Sequence, residues 1–186
     1  MFARGAEQMT EEVVFVTEDD RILGRMEKEN AHRMGKLHRA ISVCLFDKHG
    51  RWLLQRRSLL KYHSPGRWAN ACCGHPRWNE EPLQAALRRL SEELGVTCPL
   101  SFFISFVYRA DVGGGMVEHE FDHIFTGTFE GPIIPNPDEV SEVSWWKESE
   151  IKKALQQTPE LFSPWFPLIF DQLSGTTKRG HLKAAD

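Results

Sequence analysis

The sequence predicts a single α/β domain, and three observations carry that prediction. The chain has 186 residues, 41% of them hydrophobic, which suits one sizeable core. Short apolar runs bounded by turn residues recur on both sides of its middle, as strands do. Between them, residues 80–94 carry apolar side chains at helical spacing.

The elements follow in order. Residues 13–16 read as a strand, Asp19 and Asp20 as a turn, and 21–26 as a second strand. The segment 29–38 holds two histidines ahead of an apolar strand at 40–46. A turn at 47–50 returns the chain as a hairpin partner at 52–56. A Ser64-Pro65-Gly66 loop precedes a strand at 68–72. Asn79 is the expected helix cap, with Glu80 and Glu81 in the first turn, where carboxylates suit the dipole. Leu83, Ala86, Leu87, Leu90 and Leu94 form the expected buried face, and Gly95 the stop. Strands are expected at 101–110 and 117–126 around a glycine loop at 112–116. A proline-rich loop at 132–138, a strand at 140–146, a helix at 148–156 and a last helix from about 166 to 173 complete the domain. Its expected span is 11–174, with tails at 1–10 and 175–186.

Composition narrows the function. The net charge of −3 offers no basic surface for nucleic acid or an anionic membrane. No apolar run reaches bilayer length, and the first residues lack the apolar stretch of a signal peptide. Cys44, Cys72, Cys73 and Cys98 show no disulfide-framework spacing, which points to free thiols in a reducing cytoplasm. A monomer or weak dimer is expected.

The densest signal runs from Cys73 to Val96. It reads C-G-H-P, then G-x5-E-x7-R-R-L-S-E-E-L-G-V from the same glycine. Gly74, Glu80, Arg88, Leu90, Glu92, Glu93, Gly95 and Val96 fall on G-x5-E-x7-R-E-U-x-E-E-x-G-U, with U aliphatic, so the stretch resembles the Nudix signature. Carboxylates on such a helix suit Mg²⁺ bound against a diphosphate, because hard cations take oxygen ligands. One position departs from the pattern: Arg89 stands where the signature has a metal-binding glutamate. A cation there suits gripping a diphosphate better than cleaving it. With Cys73-Gly74-His75-Pro76, this resembles the type I isopentenyl-diphosphate isomerases, a Nudix-fold family that moves a double bond. The resemblance covers about 13–170 and implies a Nudix-type α/β/α sandwich with a mixed sheet between helices.

The resemblance also implies a site. His32, His38, His75, Glu118 and Glu120 are the expected ligands of one divalent metal. Glu118 and Glu120 share a strand face, and imidazole with carboxylate suits Mn²⁺, Zn²⁺ or Fe²⁺. Lys28, Arg57, Lys61 and Arg89 are the expected diphosphate contacts. Tyr108 is expected in the substrate pocket, and Trp165 over the hydrocarbon end of the substrate. Glu93 and the Cys73 carbonyl would hold a Mg²⁺ ion arriving with the diphosphate. Cys73 and Glu120 are the expected acid/base pair, and the sequence leaves open which of them donates. Cys72 and Cys73 would point opposite ways on a continuing strand, so only one of them faces the site.

The implied substrate is a small isoprenoid diphosphate, isomerised through a tertiary carbocation. The alternative enzyme class is a Nudix hydrolase of a nucleoside or other diphosphate, supported by the helix signature and opposed by Arg89 and C-G-H. A non-catalytic diphosphate or metal binder is the third reading, opposed by Cys73 and the full set of candidate ligands.

Overall fold

The computed structural model describes residues 11–174, so the tails expected at 1–10 and 175–186 lie outside the described residues. The chain runs β1 (Glu12–Val16), β2 (Ile22–Glu27), α1 (Lys28–Met34), β3 (His38–Phe46), β4 (Trp52–Arg57), β5 (Trp68–Asn70) and β6 (Cys72–Gly74). It continues with α2 (Pro82–Leu94), β7 (Ser101–Gly113), β8 (Met116–Thr128), β9 (Val140–Trp146), α3 (Glu148–Gln157) and α4 (Phe166–Leu173).

β3 is the hub of a mixed sheet. It pairs antiparallel with β6 and parallel with β8 over its whole length, from His38 opposite Glu120 to Phe46 opposite Thr128. β4 carries β5 on one side and β9 on the other. β3 is buried along both faces, as a strand covered twice must be. Ile41, Val43 and Leu45 pack with Ala85, Ala86, Leu90 and Leu94 of α2. Cys44, the next parity, packs with Ile151 of α3 and with Phe166, Ile169 and Phe170 of α4. Helices on both sides of one sheet make the expected α/β/α sandwich.

Several local expectations need correction. Asn79 does not cap α2: its φ is 62°, a turn conformation that Asn tolerates. Pro82 begins the helix after Glu81, because proline suits a first helical position whose N–H has no partner. Leu83 is 40% exposed, and Ala85 takes its place in the core. Gly95 does end the helix, in the left-handed conformation, with its N–H donating to the Ser91 carbonyl.

The strand expected at 68–72 is two strands. β5 pairs with β4 and β6 pairs with β3, so the chain changes partner at Ala71 and must bend there. The glycine loop expected at 112–116 is shorter. Pairing of β7 with β8 continues to Gly113 opposite Met116, and only Gly114 and Gly115, both at positive φ, turn the hairpin.

Candidate active site

The site lies on the α4 side of the sheet, and strand parity places its parts there. Glu118, Glu120 and Asp122 share their β8 face with Ile124, which packs in the α3–α4 core. β6 turns Cys73 to that side and Cys72 to the α2 side. His38 opens β3 directly opposite Glu120. α1 supplies His32, and the left-handed cap at Gly35 turns the chain from the helix towards β3.

These placements bring His32, His38, His75 and Glu118 together in the interior. One ligand atom from each lies within 4.8 Å of all the others. His38 and His75 approach through their Nε2 atoms at 3.2 Å. Glu120 Oε1 lies 3.0 Å from His75 Nε2 and 3.7 Å from His38 Nε2, so the fifth expected ligand borders the cluster. His38 Nδ1 lies 2.8 Å from the Lys36 carbonyl, which fixes that nitrogen as the donor and leaves Nε2 as an electron pair. His32 Nε2 and Glu118 Oε2 face each other at 3.2 Å, and neither has a hydrogen-bond partner. Two buried polar atoms left unsatisfied at a convergence of imidazoles and a carboxylate are what a divalent metal would satisfy.

Beside this cluster opens a cleft of about 590 Å³, including the solvent at its mouth. Cys73, Tyr108, Glu118, Glu120 and Trp165 line it, and so do Lys28, Arg57, Lys61 and Arg89. The Cys73 thiol donates to Asn70 Oδ1 at 3.1 Å and lies 3.7 Å from Ser42 Oγ. Burial, with Asp122 nearby, pushes this thiol up to about 12, so it stands neutral. Burial and the adjacent Glu118 raise Glu120 above the ordinary carboxylate range. The Tyr108 hydroxyl donates to Glu120 Oε2 and fixes its orientation. Burial also pushes Glu118 up, but the facing imidazoles of His32 and His63 outweigh this and hold it well below that range. Two carboxylates on one strand face are thus driven apart in proton affinity.

The cations divide into two kinds. Lys28, Lys61 and Arg89 hold carboxylates that an incoming anion would displace. Lys28 Nζ lies 2.9 Å from Glu11, Lys61 pairs with Glu139, and Arg89 Nη2 lies 3.3 Å from Glu139. Arg57 instead spends Nε and Nη2 on the carbonyls of Ser64 and His63, and its guanidinium sits 5.1 Å from the Trp165 ring centroid. Glu93 is buried behind this rim. Gln55 donates to its Oε2 at 3.0 Å and Arg89 to its Oε1 at 2.5 Å. Each oxygen of the expected Mg²⁺ ligand thus accepts one hydrogen bond and keeps a second lone pair.

The NUDIX domain model matches residues 36–166 of the chain. The isopentenyl-diphosphate Delta-isomerase 2 of Aromatoleum aromaticum is 47% identical over 165 residues, covering 89% of this chain and 87% of that protein. The isopentenyl-diphosphate Delta-isomerase of Serratia proteamaculans is 45% identical, covering 89% and 92%. The chain belongs to the isopentenyl-diphosphate Delta-isomerases of the NUDIX family. A crystal structure from Deinococcus radiodurans shares the fold, with a TM-score of 0.75 at 18% identity over 88% of this chain and 99% of that one.

Several residues of this isomerase-family site escape sequence reading. Glu11, Tyr62, His63 and Glu139 line the cleft but sit in no motif that sequence reading singled out. The one signal for His63 was its place two residues beyond Lys61, in the loop that the basic run leads into. His119 and His123, by contrast, stay outside the cluster. His119 Nδ1 lies 3.0 Å from the Gly35 carbonyl, and His123 lies 3.2 Å from Asp20.

Proposed function

We propose that the chain interconverts isopentenyl diphosphate and dimethylallyl diphosphate, with Cys73 and Glu120 as its proton-transfer pair. The observation that carries this is their position: both side chains reach one cleft from the same sheet face, with a cationic rim beside them. The substrate has an unactivated alkene at one end and a diphosphate at the other. A proton added to the terminal methylene carbon leaves a tertiary carbocation at the branched carbon. Loss of a proton from the adjacent CH₂ places the double bond there. One proton enters and one leaves, so the donor ends ionised and the acceptor ends protonated. The reaction is reversible, so each group is the acid in one direction and the base in the other.

The neutral thiol of Cys73 and the raised carboxyl of Glu120 suit such transfers in an apolar pocket. Tyr108 keeps the reacting carboxyl oriented. Trp165 lines the cleft, and an indole face turned to a desolvated cation is worth about 2 kcal/mol. Lys28, Lys61 and Arg89 would exchange their carboxylate partners for diphosphate oxygens, with Arg89 making forked contacts.

His32, His38, His75, Glu118 and Glu120 would hold one divalent ion, and this donor set suits Mn²⁺, Zn²⁺ or Fe²⁺. When bound, such an ion fixes the carboxylates and tunes the proton affinity of Glu120. Mg²⁺ is expected to arrive with the diphosphate, and Glu93 with the Cys73 carbonyl would hold it. The four cysteines are free thiols, which supports the reading of a reducing cytoplasm.

Turnover of isopentenyl diphosphate in D₂O tests the reading, followed by proton and phosphorus NMR together. Protons on both groups exchange with solvent between turnovers, so deuterium should enter the carbon skeleton of the dimethylallyl product. The diphosphate should stay intact. Release of phosphate or a monophosphate with no carbon-bound deuterium would instead identify a hydrolase.

A further inference from the structure

The segment between β4 and β5 carries Tyr62 and His63, and the two side chains reach two different members of the cluster. The Tyr62 hydroxyl lies 2.8 Å from His32 Nδ1. His63 Nε2 lies 3.1 Å from Glu118 Oε1. Each contact falls on the far side of its target. Tyr62 takes the imidazole nitrogen opposite the Nε2 that faces the cluster. His63 takes the carboxylate oxygen opposite the Oε2 that faces His32. His63 itself lies outside the set whose ligand atoms share one 4.8 Å neighbourhood.

We infer that Tyr62 and His63 are positioning residues for the metal centre, an outer clamp that fixes the His32 ring through Nδ1 and the Glu118 carboxylate through Oε1. This rests on the reading of the His/Glu cluster as a metal site. The physical need is plain. A ring free to rotate, or a carboxylate free to turn, presents its electron pair to a metal only part of the time. Partners on the outer atoms hold it in place. With Nδ1–H donating to the Tyr62 oxygen, His32 Nε2 is left as an electron pair. With Oε1 held by His63, Glu118 offers one oxygen inward.

The clamp is itself braced. Arg57 donates from Nη2 to the His63 carbonyl at 3.0 Å and from Nε to the Ser64 carbonyl at 3.2 Å. The Gly66 N–H returns to the Arg57 carbonyl at 3.1 Å, closing the segment on the end of β4. The His63 ring stands edge-on to Trp165, with centroids 5.5 Å apart. Lys61 of the same segment belongs to the cationic rim, so one short stretch of chain touches both the ligand cluster and the expected diphosphate seat.

Plain aromatic packing is the competing explanation, and metal affinity separates the two. Mn²⁺ binding to the metal-free full chain is measured by competition with a chromophoric chelator, and Co²⁺-loaded protein by its visible absorption. His63→Ala and Tyr62→Phe should each weaken Mn²⁺ binding about 10–100-fold, the usual effect of losing such an outer partner. His63→Gln, whose amide donates from nearly the same place, should recover most of the affinity, with the Co²⁺ spectrum of wild type. His75→Ala is the control for the underlying reading. If wild type takes up no ion, or His75→Ala binds as tightly as wild type, the metal centre itself is refuted. If His75→Ala loses the ion while His63→Ala and Tyr62→Phe both bind like wild type, the clamp is refuted and the centre stands. If His63→Gln is as weak as His63→Ala and its Co²⁺ spectrum shows a lost ligand, His63 binds metal directly and its positioning role is overturned. Tyr62→Phe removes one hydroxyl from a side chain that is 47% exposed, so it keeps the test alive should a His63 variant fail to fold.

Discussion

Cys72 and Cys73 are adjacent in sequence and face opposite sides of the sheet. Cys72 is fully buried in the core under α2, whereas the Cys73 thiol reaches the cleft and donates to Asn70. β6 pairs with β3 at both positions, Ser42 opposite Cys73 and Val43 opposite Cys72, so the alternation is set by the ladder. Cys73→Ala should therefore lower turnover by at least about 100-fold, the lower range for a lost proton-transfer group. Cys72→Ala should keep turnover and lose about 1 kcal/mol of stability through the missing buried atom. Steady-state rates and urea midpoints for both variants check this. A dead Cys72→Ala beside an active Cys73→Ala would reverse the assignment.

Metal content gives the second prediction. Purified protein should carry about one transition-metal ion per chain, as a single cluster of ligand atoms requires. A chelator should abolish turnover, and Mn²⁺ should restore it. The His32/His75/Glu118 triple alanine variant should carry essentially no ion when measured by elemental analysis. Full occupancy in that variant would remove the site from consideration.

Arg89 and Gly74 form a coupled pair. A Cβ added at Gly74 would lie 3.0 Å from Arg89 Cγ, so the glycine makes room for the arginine stem. Arg89→Glu should weaken inorganic pyrophosphate binding by at least about tenfold, through lost forked contacts and added repulsion. Gly74→Ala should displace the guanidinium and raise KM more than it lowers kcat. Calorimetric titration with pyrophosphate and steady-state kinetics read both effects. Unchanged pyrophosphate affinity in Arg89→Glu would end the assignment of Arg89 to the diphosphate.

Glu80 and Arg88 give a pH prediction. The Arg88 guanidinium donates to both Glu80 oxygens at 2.7 Å and to the His75 carbonyl at 3.3 Å, tying α2 to the C-G-H turn. These bonds hold Glu80 below its ordinary 4.5. The stabilisation is therefore complete above the unfolded-state value and disappears as pH falls through the lower folded-state value. Glu80→Gln should be less stable than wild type at pH 7, and the gap should close as pH drops below 4.5. Urea unfolding across that range measures it. A gap independent of pH would mean that the carboxylate charge contributes nothing.

Much of this was legible in the sequence, because one periodicity and one short motif do most of the placing. Alternation along β8 puts Glu118 and Glu120 together, and the C-G-H run fixes Cys73 beside the glycine that admits Arg89. The start of α2 was not legible. Asn79 is a good cap by residue type, but Pro82 decides where the helix begins. The break between β5 and β6 depends on which strands they pair with, and no local signal records that. Tyr62 and His63 were invisible for the same reason. Their partners lie on α1 and β8, and an irregular segment has no period from which to read direction.

The parallel ladder between β3 and β8 joins two strands that are synthesised far apart. β3 emerges early, while the strand that must lie beside it follows only after β4, β5, β6, α2 and β7. A nascent chain that stops before β8 leaves one flank of an apolar strand without its neighbour, the kind of open edge on which other chains aggregate. The same event that covers this edge delivers Glu118 and Glu120 to His38. A copy truncated before β8 thus lacks both the neighbour of β3 and the two carboxylates that face His38.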